Sequence, residues 1–159
     1  MVVVFALLGF AQSAAAHTIY ATKPGDKQVV PIIGSTPQDP IQVDDGAWAL
    51  AITPDARTVY VIGDENVTPI DAETRTPGEE IEVGSPPWGV AITPDGKTAY
   101  VVSYYSHTVA PIDIETNTAG EAIALGAAPQ DIAIAPDGTT AYVALGGSVR
   151  PIDLRTHTS

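Results

Sequence analysis

Along the chain, apolar residues gather into short runs with little alternation between faces. In mid-sequence "WGVAIT" (88–93), "TAYVVS" (98–103), "TVAPID" (108–113) and "EAIALG" (121–126) follow one another. The stretches between them, "PDGK" (94–97), "YYSH" (104–107) and "IETNT" (114–118), carry turn chemistry. In "PDGK", Pro94 pre-sets φ, Asp95 bonds the local backbone and Gly96 takes a positive φ, which predicts a hairpin. β-branched and aromatic runs of this length, punctuated about every 8–12 residues, predict strands of an all-β fold. Helical spacing is absent, and the prolines would break any long helix. Strands such as "GVAI" and "AYVV" that are apolar on both sides have no wet face, so each sheet must be covered twice. Pro69, Pro111 and Pro151 fall inside the predicted third strand and remove a ladder donor, which predicts a bulge or an unpaired position there.

The same pattern is written repeatedly. "AITPDARTVYV" (51–61), "AITPDGKTAYV" (91–101) and "AIAPDGTTAYV" (133–143) are near-copies. Tyr60, Tyr100 and Tyr142 mark them at spacings of 40 and 42, and Tyr20 in "HTIYA" lies another 40 upstream. A second marker, "VTPID" (67–71), "VAPID" (109–113) and "VRPID" (149–153), is preceded by "VVPII" (29–33). The Tyr-to-Pro distance alternates between 11 and 9 residues, a difference that belongs to a loop. A period near 40 with four strands per unit predicts a β-propeller of four-stranded antiparallel blades, about four repeats long. The units fall at approximately 1–40, 41–80, 81–122 and 123–159 of one repeat domain spanning 1–159.

The wording "AITPDGKTAYVV", "VTPIDAETRT" and "IEVGSPPWGVAITPDG" resembles the YVTN-type β-propeller repeats of bacterial and archaeal secreted and surface-layer proteins, over roughly residues 17–159. That resemblance implies propeller blades and an extracytoplasmic setting, and no particular activity. Members of the class are usually seven-bladed or longer, whereas this chain writes about four units.

Residues 1–16 have competing readings. "MVV" aligns with "IQV", "IEV" and "IAL", and "LGFA" (8–11) with "WGVA", as expected of degenerate strands from a ring-closing blade. The apolar run "VVVFALLGFA" followed by Ala14-x-Ala16 instead reads as a cleaved secretory signal, although the basic n-region is missing. A truncated reading frame is a third reading. The run is too short to span a bilayer, which takes about 20 residues. Secretion or the cell surface is the expected location, with the cytoplasm left open by the missing basic residues. Three assemblies follow: a small closed ring, a pair of copies completing a larger ring, or an open arc with raw edges. Repeats tapered for a seven-bladed wedge favour the latter two over a four-bladed ring.

Composition narrows the partners. The 159 residues suffice for one domain burying about 70% of its unfolded surface. There is no Cys, which excludes disulfides and thiolate metal sites. Seven basic residues against nineteen acidic ones give a net charge of −12, a surface that keeps the protein soluble and repels nucleic acid.

Candidate chemistry is sparse. His17, His107 and His157 occupy different repeat positions, so no ring of metal ligands forms, and no cofactor is expected. Ser106 and His107 are adjacent on one loop, a poor arrangement for a base oriented by a third group. No phosphate-cradling loop, nucleophile elbow or dinucleotide fingerprint is present. Asp55, Asp95 and Asp137 sit in the "PD" turn, and Asp71, Asp113 and Asp153 end the third strand, where both sets serve the backbone in each unit. The informative positions are those that break the repeat. Approaching the first strand the units read "FALLGF", "DDGAWAL", "GSPPWGV" and "GAAPQDI". Trp48 and Trp88 are equivalent, with Gln130 and Leu8 in the corresponding places. Each Trp either packs between blades or belongs to an aromatic face for a sugar, peptide or protein, made acidic by Asp44, Asp45 and Asp131. Tyr104 and Tyr105, with His107, form a second candidate patch.

These features predict a non-enzymatic binding or scaffold module with no catalytic or metal residues. Two alternatives stand: a propeller enzyme with its active site at the channel mouth, and an inactive remnant of a longer repeat protein. The enzyme reading needs converging groups from several units, and of four arginines Arg150 and Arg155 share one.

Overall fold

A computed structural model of the chain describes residues 18–156. The readings that fall on residues 1–16, Leu8, His17 and His157 lie outside the described residues.

The described chain forms four antiparallel sheets in chain order. The first contains β1 (Thr18–Lys23), β2 (Gln28–Ile33), β3 (Thr36–Pro37) and β4 (Ile41–Gln42). The second contains β5 (Ala49–Ile52), β6 (Thr58–Ile62), β7 (Asn66–Asp71), β8 (Thr76–Pro77) and β9 (Ile81–Glu82). The third contains β10 (Pro87–Ile92), β11 (Thr98–Ser103), β12 (Thr108–Asp113), β13 (Thr118–Ala119) and β14 (Ile123–Ala124). The fourth contains β15 (Pro129–Ile134), β16 (Thr140–Leu145) and β17 (Ser148–Asp153). Strand pairing makes the repeat explicit: Tyr20, Tyr60, Tyr100 and Tyr142 stand opposite Pro31, Pro69, Pro111 and Pro151. The strands expected at 98–103 and 108–113 are β11 and β12 with the same bounds.

The two apolar faces of each sheet have different neighbours. Tyr20 and Val29 of the first sheet pack against Val59, Val61 and Ile70 of the second. Tyr60, Ile62 and Val67, on the other face of the second sheet, pack against Ala99, Val101, Ala110 and Ile112 of the third. Tyr100, Val102 and Val109 pack in turn against Ala141, Val143 and Ile152 of the fourth. The described residues therefore hold three cores in series, one between each pair of successive sheets, in a propeller-like arrangement. We call the face carrying the Tyr and Pro of each unit its trailing face and the opposite one its leading face. The Tyr hydroxyls reach into the next sheet. Tyr60 donates to Asn117 Oδ1 at 2.6 Å, and Tyr20 to the Ala72 carbonyl at 3.4 Å. Burial, with the Asp113 carboxylate adding to it, pushes the Tyr60 phenol up to about 12, so it stays a donor at any ordinary pH.

The prolines leave their own strand regular, and the irregularity falls on its neighbour. β6 and β7 pair without a shift through Pro69, as do β11 and β12 through Pro111. Pro31, Pro69 and Pro111 accept from Gln38, Gly78 and Gly120 N–H through their carbonyls, so each proline nitrogen also faces the outer strand. There the outer strand is split in two. Ile70 pairs with Pro77 and Val67 with Ile81, so four steps on the outer strand answer three on β7. The first and third sheets repeat this mismatch. The missing donor thus falls opposite an extra residue that requires no ladder bond. The single fourth strand expected at 121–126 is accordingly β13 plus β14.

The hairpin turns are as their residues demand. Gly96 and Gly138 both sit at φ 71, and Asp95 Oδ1 accepts from Thr93 Oγ1 at 2.6 Å and from Lys97 N–H at 3.1 Å. Asp55 does the same with Thr53 and Arg57. In the second unit, however, Ala56 holds the left-handed position at φ 58. A left-handed non-glycine residue costs about 1–2 kcal/mol, of which glycine's greater freedom in the unfolded chain returns part. Ala56→Gly is therefore expected to stabilise the protein by about 0.5–1 kcal/mol in urea denaturation, with an unchanged m-value.

Candidate functional site

In the second and third sheets the approach to the first strand and the loop between the second and third strands meet at one edge. In the second sheet the approach is residues 44–48 and the loop 63–65, and Trp48 N–H bonds the Ile62 carbonyl at 2.8 Å. In the third sheet they are residues 84–88 and 104–107, where Tyr104 N–H bonds the Pro86 carbonyl at 3.0 Å. Most of the residues singled out from the sequence lie along this edge.

Trp48 and Trp88 are half exposed, at 54% and 53%. Neither is buried between sheets, and the pairing register explains why. Pro87 pairs with Ser103 and Gly89 with Val102, so Trp88 is the extra residue of a β-bulge. A bulge breaks the alternation of side chains and re-aims one of them, here toward solvent. Gln130 occupies the same bulge in the fourth sheet, between Pro129 and Asp131, and is exposed. Trp48 precedes β5 at the equivalent place.

Around Trp48 the edge is acidic and ordered. The indole N–H donates to Asp64 Oδ1 at 2.6 Å. Asp45 Oδ2 accepts from the N–H groups of Glu65 at 2.7 Å and Asn66 at 2.8 Å, tying approach to loop. Burial pushes the Asp45 carboxyl up, but N–H donors from Glu65, Asn66, Asp64 and Gly46 together outweigh it and hold the group below the usual carboxylate range. Gly46 and Gly63 make room for this arrangement: a Cβ on Gly46 would lie 2.7 Å from Trp48 Nε1, and one on Gly63 would lie 2.6 Å from Asp45 Cγ. Asp44 is exposed, and its carbonyl accepts from Lys27 Nζ at 2.9 Å.

Around Trp88 the edge is aromatic. The Trp88 and Tyr104 rings lie 5.4 Å apart, and Tyr104 meets Tyr105 edge-on at 5.1 Å. Tyr105 is 76% exposed. The structure thus joins the two aromatic patches, Trp88 and Tyr104–Tyr105, into one. Ser106 Oγ accepts from Ser85 N–H at 3.1 Å and donates to the Ser85 carbonyl at 3.2 Å, locking this loop to the approach strand. Ser106 is therefore engaged with backbone, away from any triad role. Asp131 Oδ1 bonds Ile132 N–H at 2.8 Å, and a Cβ on Gly89 would come within 3.2 Å of it, so Asp131 borders the Trp88 segment from the next sheet. Asp64 is a site residue that the sequence did not single out, and Ser106 was weighed there only beside His107; the loop register brings both to the tryptophan segments. Among the described residues no group of three His, Asp or Glu side chains converges as a metal site, and no helix is long and apolar enough to cross a membrane.

No protein-family model matches the chain. No curated protein matches it either. By structure, 1006 solved chains match, so the architecture alone selects no activity. One of them, the Kuenenia stuttgartiensis hydrazine synthase, superposes with a TM-score of 0.84 at 27% identity. The alignment covers 89% of this chain and 44% of that one, so this chain spans less than half the length of its solved relative.

Proposed function

We propose that the chain is a non-enzymatic binding or scaffold module built from YVTN-type β-propeller repeats, working outside the cytoplasm, and that it docks a basic protein segment on the edge carrying Trp48, Trp88, Tyr104 and Tyr105. The observation that carries this reading is the exposure of three aromatic rings along one edge, Trp48, Trp88 and Tyr105, with the partly buried Tyr104 between the last two and Asp44, Asp45, Asp64 and Asp131 nearby. Rigid aromatic anchors supply contact area at low entropic cost, and the carboxylates supply attraction for Lys and Arg. The repeat wording and the four serial sheets support four-stranded blades, about four in number.

The two tryptophans of the chain both lie at this edge, so tryptophan fluorescence, excited selectively over the six tyrosines, reports on it. Titration with a Lys/Arg-rich peptide is expected to shift the emission, more weakly at high salt. Trp88→Ala is expected to weaken binding about 30-fold, near 2 kcal/mol, with the melting temperature little changed because the ring is exposed. Trp48→Ala is expected to act in the same direction. A response to neutral oligosaccharides alone would move the partner class to carbohydrate; no response to either would overturn the docking reading. Mass spectrometry of the mature N-terminus tests the extracytoplasmic setting.

A second reading, an enzymatic module, is favoured by the likeness to a hydrazine synthase. Hydrazine formation by the purified chain would establish it.

A further inference from the structure

The edge that carries the tryptophans changes its chemistry from one sheet to the next. On the second sheet it holds the carboxylates of Asp44, Asp45, Asp64 and Glu65, all exposed except the partly buried Asp45. The Lys27 ammonium lies among them, bonding the Asp44 carbonyl at 2.9 Å, so the acids stay in excess. On the third sheet the approach "GSPPW" (84–88) and the loop "YYSH" (104–107) contain no Asp, Glu, Lys or Arg. On the fourth sheet the loop is only Gly146 and Gly147, and a Cβ on either would meet nothing within 4 Å. Trp48 therefore stands in a negative field, and Trp88 stands in an uncharged one.

The two indoles are also held differently. The Trp48 N–H is engaged with Asp64 Oδ1 at 2.6 Å, which fixes the ring beside a carboxylate and leaves its face as the surface on offer. A planar guanidinium stacks on such a face and bonds a carboxylate with N–H groups in its own plane; a compact ammonium does not stack. Trp88 rests instead against Tyr104, with ring centroids 5.4 Å apart and planes tilted by 39°. Tyr105 meets Tyr104 at 83°. Rings so inclined present faces and edges together, which an incoming aromatic ring meets in its preferred edge-on or offset geometry.

From this division we infer that the docked segment is read in two parts: an arginine stacked on Trp48 among the carboxylates of the second sheet, and an aromatic side chain two residues away seated on Trp88, Tyr104 and Tyr105. The inference rests on the docking reading above and adds the side chains and their spacing. Trp48 and Trp88 hold equivalent places one sheet apart. Sheets pack about 10 Å apart face to face, and side chains two residues apart on an extended peptide share a face at about 7 Å. At this edge neighbouring sheets stand closer than at their centres: a Cβ on Gly89, directly after Trp88, would lie 3.5 Å from Asp131 Cα, directly after Gln130. Charge alone accepts any basic segment, and the uncharged third sheet is what selects among them.

Fluorescence anisotropy of end-labelled Gly/Ser peptides tests this on the purified full chain. A peptide with Arg and Phe two residues apart is expected to bind about tenfold more tightly than one with Arg alone or Phe alone. Replacing Arg by Lys, or moving the pair about eight residues apart, is expected to cost about fivefold. Asp64→Asn is expected to flatten the salt dependence and erase the preference for Arg over Lys, while sparing the gain from Phe. Tyr105→Ser is expected to erase the gain from Phe and to spare the salt dependence. Both residues are exposed, so both variants are expected to keep the wild-type circular dichroism spectrum. Equal binding of the paired, Arg-only and oligolysine peptides to the wild-type chain would overturn the two-part reading and leave the docking of a basic segment standing. Failure of every basic peptide to bind would overturn both. Variants that weaken all the peptides alike would also overturn the inference, because they indicate one undivided surface.

Discussion

Tyr60→Ala is expected to lower stability by about 3–5 kcal/mol, about 10–15 °C in melting temperature for a domain of this size. Tyr142→Ala, at the equivalent place in the repeat, is expected to cost less than about 1 kcal/mol. The Tyr60 side chain is fully buried, fills the core between the second and third sheets beside Ile62, Val67 and Val101, and bonds Asn117 across the interface. Truncation leaves a cavity and an unmatched amide at one of the three contacts on which the series depends. The Tyr142 ring faces outward, so its loss opens no cavity. Thermal melts of both variants read the contrast directly. Equal losses would mean that the fourth sheet is covered within a single copy, against the serial packing described above.

Gly63→Ala is expected to destabilise by about 2–3 kcal/mol, although it adds only one methyl group. The new carbon would press on the Asp45 side chain, 2.6 Å from its Cγ and 2.8 Å from its Cβ, and drive it off the N–H groups of Glu65 and Asn66. Two charge-assisted bonds are then lost and the approach to β5 is released from its loop. Acid attacks the same carboxylate. The Asp45 carboxyl is held low overall, as are those of Asp55, Asp71, Asp95, Asp113, Asp137 and Asp153, these six chiefly by hydrogen bonds from local Thr hydroxyls and backbone N–H groups. A carboxyl that is more acidic in the folded chain adds stability at pH values above its unfolded value, about 3.9. That stability drains away as pH falls from there through the folded value. Melting temperature is expected to stay level from these groups between pH 7 and about 5 and to fall below about pH 4. Asp45→Asn keeps an acceptor without the charge, so its melting curve is expected to start lower and to fall less on acidification.

The second-unit turn shows how far local sequence reaches. Asp55 and Asp95 bond the same neighbours whatever the rest of the fold does, because turn geometry is set by residues two to five apart. Tyr, Pro and "PID" recur with a period near 40, and that periodicity anticipates β6, β11 and β16 and their third-strand partners. The edge was legible only as an exception to the repeat: Trp48, Trp88 and Gln130 stand out because the other positions agree. Spacing left open whether the tryptophans pack between sheets or face water. The bulge at Trp88 answered that, since one extra residue in register turns a side chain over. Asp64 left no mark in the pattern, and Ser106 drew notice only for its neighbour His107, because their roles come from loops meeting across a sheet edge.

The sequence by itself determined the repeat, the strands and their turns, and the need to cover both faces of every sheet, because each follows from short-range chemistry and periodicity. Only the tertiary structure decided which face meets which neighbour, which prolines and tryptophans escape the ladder, and where the covering stops. A strand apolar on both sides carries no instruction about its partner. Equivalent Tyr and Val positions are buried in the first three sheets and exposed in the fourth because of what lies next to them among the described residues.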